Sequence, residues 1–90
     1  MKREFRWLEK LDLLDEPVPG QPLVELCGEG RVLIENHAGV REYGAERIGV
    51  RVRFGMIVIQ GTNLKLCRMT KQQLVITGKI DGVILERGMR

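Results

Sequence analysis

From Leu23 onward the hydrophobic pattern has a period of two, and this restricts the chain to β-structure. Ile48-Gly49-Val50-Arg51-Val52-Arg53-Phe54 is the clearest instance. Ile48, Val50, Val52 and Phe54 fall on one face and Arg51 and Arg53 on the other, because successive side chains of a strand point to opposite sides. Segments 31–35, 56–60, 64–67, 74–77 and 83–86 are short, rich in Val, Ile and Leu, and punctuated by glycine. No apolar stripe of helical length follows residue 22, so the body is predicted to be mainly β.

The glycines carry a second period. Gly28, Gly44, Gly61 and Gly78 lie 16, 17 and 17 residues apart, each between two short strand-like runs. Glycine suits a turn with positive φ or a close approach of two backbones. Strand–glycine–strand units of this kind predict short strands in two packed sheets, either a sandwich or a short β-solenoid-like stack. A different pattern precedes them. Phe5, Trp7, Leu8, Leu11 and Leu14 recur at helical spacing, with Arg3, Arg6, Lys10 and Asp12 between them. An amphipathic helix is therefore expected over residues 1–16. Pro17, Pro19 and Gly20 end it and make residues 17–22 a linker to a single β domain over 23–90. Bases and acids nearly cancel in the helix, which favours packing on protein over a membrane surface.

A chain of 90 residues has room for one core. No apolar run reaches the ~18–20 residues needed to cross a bilayer, and the charged N-terminus lacks the core of a secretory signal. Two cysteines, Cys27 and Cys67, are too few for a disulfide framework. They are expected as packed thiols in a reducing, cytoplasmic compartment.

The formal net charge of +3 raises nucleic-acid binding as a function. Residues 23–90 hold eleven bases and seven acids, but Glu25, Glu29, Glu35, Glu42 and Glu46 interrupt them. Arg47, Arg51 and Arg53 form the best basic face. A dedicated duplex binder concentrates its charge more strongly, and a sheet that binds RNA needs exposed aromatics on which bases stack. The whole chain has only Phe5, Trp7, Tyr43 and Phe54.

Catalytic patterns are equally thin. The one histidine, His37, follows Glu35 by two positions. A metal site needs further ligands that the spacing does not supply, and neither cysteine sits in a nucleophile motif. A turn in which Asn36 caps backbone groups and His37 bonds locally is the simpler reading. Gly28-Glu29-Gly30 resembles part of a phosphate loop, but Glu29 repels phosphate and no helix follows. No catalytic, metal or cofactor-binding residue is assigned.

Three elements together resemble the YabP/YqfC family of sporulation proteins. They are Arg31-Val32-Leu33-Ile34-Glu35-Asn36-His37 with Gly39, Val40 and Tyr43; Ile59-Gln60-Gly61-Thr62-Asn63-Leu64-Lys65-Leu66; and Leu74-Val75-Ile76-Thr77-Gly78-Lys79-Ile80. The N-terminal stretch with its proline-rich joint is more similar to the YqfC branch. The resemblance implies a small non-enzymatic protein of endospore-forming bacteria, made in the mother cell and acting in spore morphogenesis or in compartment-linked development. It also implies a membrane-protein partner of the YqfD type. No catalytic residue is carried over, and Glu35, Asn36 and His37 mark either a turn or a contact surface. A thin core with few aromatics gains from burying area against a copy. Self-association or a membrane-anchored partner is therefore the functional expectation, and a basic β domain binding RNA or DNA is the alternative.

Overall fold

The computed structural model describes residues 20–88. The predicted helix over 1–16 and most of the predicted linker lie outside them. The described residues form strands and their connections: β1 (Leu23–Cys27), β2 (Arg31–Glu35), β3 (Val40–Tyr43), β4 (Arg47–Val52), β5 (Gly55–Met69) and β6 (Gln73–Arg87). They make one antiparallel sheet in the order β1-β2-β6-β5-β4-β3. Among the described residues no helix is long and apolar enough to cross a membrane.

The mainly-β prediction holds, but two packed sheets of short strands do not form. Segments 56–60 and 64–67 are two halves of β5, and segments 74–77 and 83–86 are two halves of β6, each strand being 15 residues long. A straight strand of that length would run ~50 Å, whereas the described body measures 42 Å in its longest dimension. The strands bend because their ladder slips at Gln60/Gly61, between Thr62 and Lys65, and between Leu66 and Arg68, and such bulges coil a strand without ending it. One end of the β5–β6 ladder carries β4 and β3. The other carries β2 and β1.

Gly61 and Gly78 make the bend possible. A Cβ at Gly61 would fall on the Lys79 carbonyl oxygen, and one at Gly78 would lie 2.6 Å from the Asn63 oxygen with φ at +136°. These glycines are points of close approach inside strands. The regular glycine spacing therefore records two different demands, since Gly28, with φ at +66°, serves the β1–β2 turn.

The coiled sheet closes over one thin core. Val32 and Ile34 of β2, Ile48, Val50 and Val52 of β4, Ile57, Ile59 and Leu64 of β5, and Leu74 and Ile76 of β6 form a single cluster. Full burial of such a side chain contributes roughly 1.5–3 kcal/mol. The face predicted for Ile48, Val50 and Val52 is the buried one, while Phe54 follows in the β4–β5 turn and packs partly against the cluster. The thiols depart from expectation, because Cys27 and Cys67 are both exposed. Cys27 pairs with Arg31 in register, one position off the pair that holds the buried Val32, so alternation turns it away from the core.

Candidate functional site

The sheet curls so far that four residues, 36–39, suffice to carry the chain from β2 to β3, strands toward opposite ends of the strand order. The Glu35-Asn36-His37 element sits here. Glu35 leaves β2 with its Oε2 accepting from Gln73 Nε2 at 2.9 Å. Asn36 then takes a left-handed conformation, φ +64°, which asparagine tolerates better than most residues. Its amide donates to the Gln72 carbonyl at 2.7 Å, and its Nδ2 donates to the Gln21 carbonyl at 2.8 Å.

His37 completes the crossover. Its Nδ1 accepts from the Gly39 amide at 3.0 Å, so the proton belongs on Nε2, which lies 2.9 Å from the Thr70 carbonyl oxygen. Beyond it, the Ala38 amide donates to the Arg51 carbonyl at 2.7 Å and the Arg51 amide to the Gly39 carbonyl at 2.8 Å. Both imidazole nitrogens and one carboxylate oxygen are thus engaged with the chain itself. The geometry pins a short crossover to the β5–β6 turn and to β4. Cys67, one of the two thiols, has its Sγ 3.4 Å from Thr77 Oγ1. Among the described residues no group of three or more His, Cys, Asp or Glu side chains is gathered as a metal site, and no polar residue is buried.

The three predicted arginines are all exposed, two of them on β4 and one just beyond it. Arg47 Nε donates to Glu42 Oε1 at 2.8 Å, and its Nη2 lies 3.9 Å from Glu86 Oε2. The hydrogen bond to Glu42, then the Glu42 and Glu86 charges, raise its pKa above the usual guanidinium value. Arg51 is exposed on β4, and Arg53, also exposed, stands beyond the end of that strand in the β4–β5 turn. The guanidinium of Arg53 lies beside Gly20. The acidic partners of Arg47 were missed by sequence reasoning, although Glu42 stands five residues before it in a hairpin.

A second feature escaped the sequence because it depends on strand order. β2 covers β6 only over Gln73–Thr77, extended by bonds from Gly78 and Ile80 to Gly30 and Glu29. Past Ile80, the edge of β6 opposite β5 has no strand partner among the described residues. This open edge carries Ile84 and Leu85, which are 39% and 55% exposed. Leu26, 56% exposed, joins Ile80 and Val83 in a groove beside it.

Comparison with known proteins agrees with the resemblance carried by the three sequence elements. The profile of the YabP family matches residues 20–89. A protein of Bacillus subtilis (strain 168), described as the uncharacterized protein YqfC, is 23% identical over 78 residues, which are 86% of this chain and 84% of that protein. No solved structure matches the chain. With that profile spanning every strand of the sheet, the chain belongs to the YabP family, a family associated with sporulation.

Proposed function

We propose that this chain is a non-enzymatic assembly module of spore development. It works by presenting sheet edges and exposed apolar side chains to other proteins, either copies of itself or a membrane protein of the YqfD type. Its place is the mother-cell cytoplasm, at a membrane where such a partner holds it. The observation that carries this reading is the open edge of β6 past Ile80, where Ile84 and Leu85 are exposed and the strand has a neighbour on one side only among the described residues. Unpaired edges of this kind add strands across an interface. The Glu35-Asn36-His37 element supports it indirectly, as a brace for the coil that leaves the edge open rather than as a reactive centre.

The alternative, a basic β domain binding RNA or DNA, has less support. Arg47 is matched by two glutamates, and of the described aromatics Phe54 packs on the core while Tyr43 is exposed. The test is light scattering of the purified full chain across the micromolar range, with co-purification against a co-expressed YqfD-type membrane protein. Association in either assay is the expected result. A strict monomer that also ignores the membrane protein would contradict the proposal.

A further inference from the structure

We infer that the open edge of β6 is a homodimer interface, in which two copies pair antiparallel over Asp81–Arg87 about a two-fold axis at Ile84. The inference deepens the assembly reading above and rests on it. It commits that reading to one edge, one partner and one register.

The sheet has other unpaired edges, and charge separates them from this one. β1 carries Glu25 at its centre, β3 is half charged through Arg41 and Glu42, and the far half of β5 carries Lys65 and Arg68. Charges at an edge guard it against pairing. The β5 edge is further occupied by Tyr43, whose hydroxyl accepts from the Leu66 amide at 3.4 Å. On β6 the centre of the open segment is Val83-Ile84-Leu85, and its charges stand toward the ends, Asp81 at one and Glu86 and Arg87 at the other, with Glu86 already facing Arg47.

That arrangement is self-complementary. With Ile84 opposite Ile84, Val83 faces Leu85, Gly82 faces Glu86 and Asp81 faces Arg87, and symmetry repeats each pair. Apolar meets apolar on the face that continues the core, because Val83 and Leu85 pair in register with Ile59 and Ile57, and acid stands opposite base at the segment's ends, where the β5–β6 ladder slips past Asp81. Moving the axis to Val83 sets Asp81 against Leu85 and Lys79 against Arg87. Moving it by half a residue sets the core face of one copy beside the outer face of the other, with Asp81 against Glu86 or Val83 against Glu86. A closed two-fold pair removes both open edges at once. At Gly88 the φ of +80° turns the chain off the strand line, so the paired segment ends there.

The test uses the full chain with Cys27→Ser and Cys67→Ser, to which Ile84→Cys is added. Directly opposed residues of an antiparallel pair have Cα atoms about 4.5–5.5 Å apart, within disulfide range. Mild oxidation is expected to give a covalent dimer from Ile84→Cys and far less from Val83→Cys, whose copies do not face each other. Separately, Asp81→Arg is expected to weaken dimerisation roughly tenfold, and Asp81→Arg with Arg87→Asp to restore it. A dimer by light scattering that neither crosslinks at position 84 nor responds to the charge exchange overturns this interface and leaves self-association standing. A chain that stays monomeric at high concentration overturns the interface and removes the self-association branch of the assembly reading with it.

Discussion

His37 Nε2 lies 2.9 Å from the carbonyl oxygen of Thr70, thirty-three residues further along the chain. Thr70 in turn shapes the β5–β6 turn, its Oγ1 accepting from the Gln73 amide at 2.9 Å. One side chain therefore joins the crossover to the hairpin that organises the whole sheet. His37→Ala removes that bond and the one to Gly39. At about 1 kcal/mol for each bond, the loss is roughly 2 kcal/mol. His37→Asn retains an acceptor near the Gly39 amide and should recover about half of it. Urea unfolding with an unchanged slope is the check, and an Ala variant as stable as the parent would remove the bracing role.

The bend glycines yield a sharper contrast. Gly78→Ala meets both a φ of +136° and the Asn63 carbonyl oxygen at 2.6 Å. Backbone strain alone costs on the order of 1–3 kcal/mol, and the clash adds to it, so this variant should be severely destabilised. Gly30→Ala finds its nearest atom at 3.5 Å, an ordinary contact. It should change stability by under about 1 kcal/mol. Thermal midpoints of the two variants side by side decide the matter, and equal midpoints would mean that the strands do not cross at Gly78 as described.

Much of this fold was legible in the sequence. Ile48, Val50 and Val52 are buried on the face their alternation assigns, and the segments expected as strands are strands. What local pattern did not convey was continuity. Gly61 and Gly78 look like breaks between strands, yet the strands continue through them, because the partner that demands a glycine is Lys79 for one and Asn63 for the other. Pattern within a window does not register a neighbour on the adjoining strand. The same blindness applied to the site. Glu35, Asn36 and His37 stood out by type, but their partners Gln73, Gln21 and Thr70 are brought in by tertiary pairing. The open edge is a property of strand order, which no single strand displays.

Arg47 supplies a salt-dependent prediction. Its bonds to Glu42 and Glu86 are on the surface, where ion pairs contribute little and salt screens them. Arg47→Ala should lower the thermal midpoint slightly at low ionic strength, and the difference should vanish near 1 M salt, where the Debye length is ~3 Å. A large, salt-independent loss would show that the guanidinium stem packs on something more important than its charge pairs.

The nucleic-acid alternative makes its own forecast. A labelled oligonucleotide should show no salt-dependent binding that disappears when Arg51 and Arg53 are replaced by alanine. Binding at physiological salt that is lost in Arg51→Ala/Arg53→Ala would favour that alternative over assembly.

The most direct test compares the mass in solution of the full chain with that of Leu85→Lys, a change at a side chain already 55% exposed and therefore gentle on the fold. Sedimentation at matched micromolar concentrations should give twice the chain mass for the parent and a single chain for the variant. Equal masses for the two, whether both monomeric or both associated, would contradict an open β6 edge as the surface through which this protein assembles.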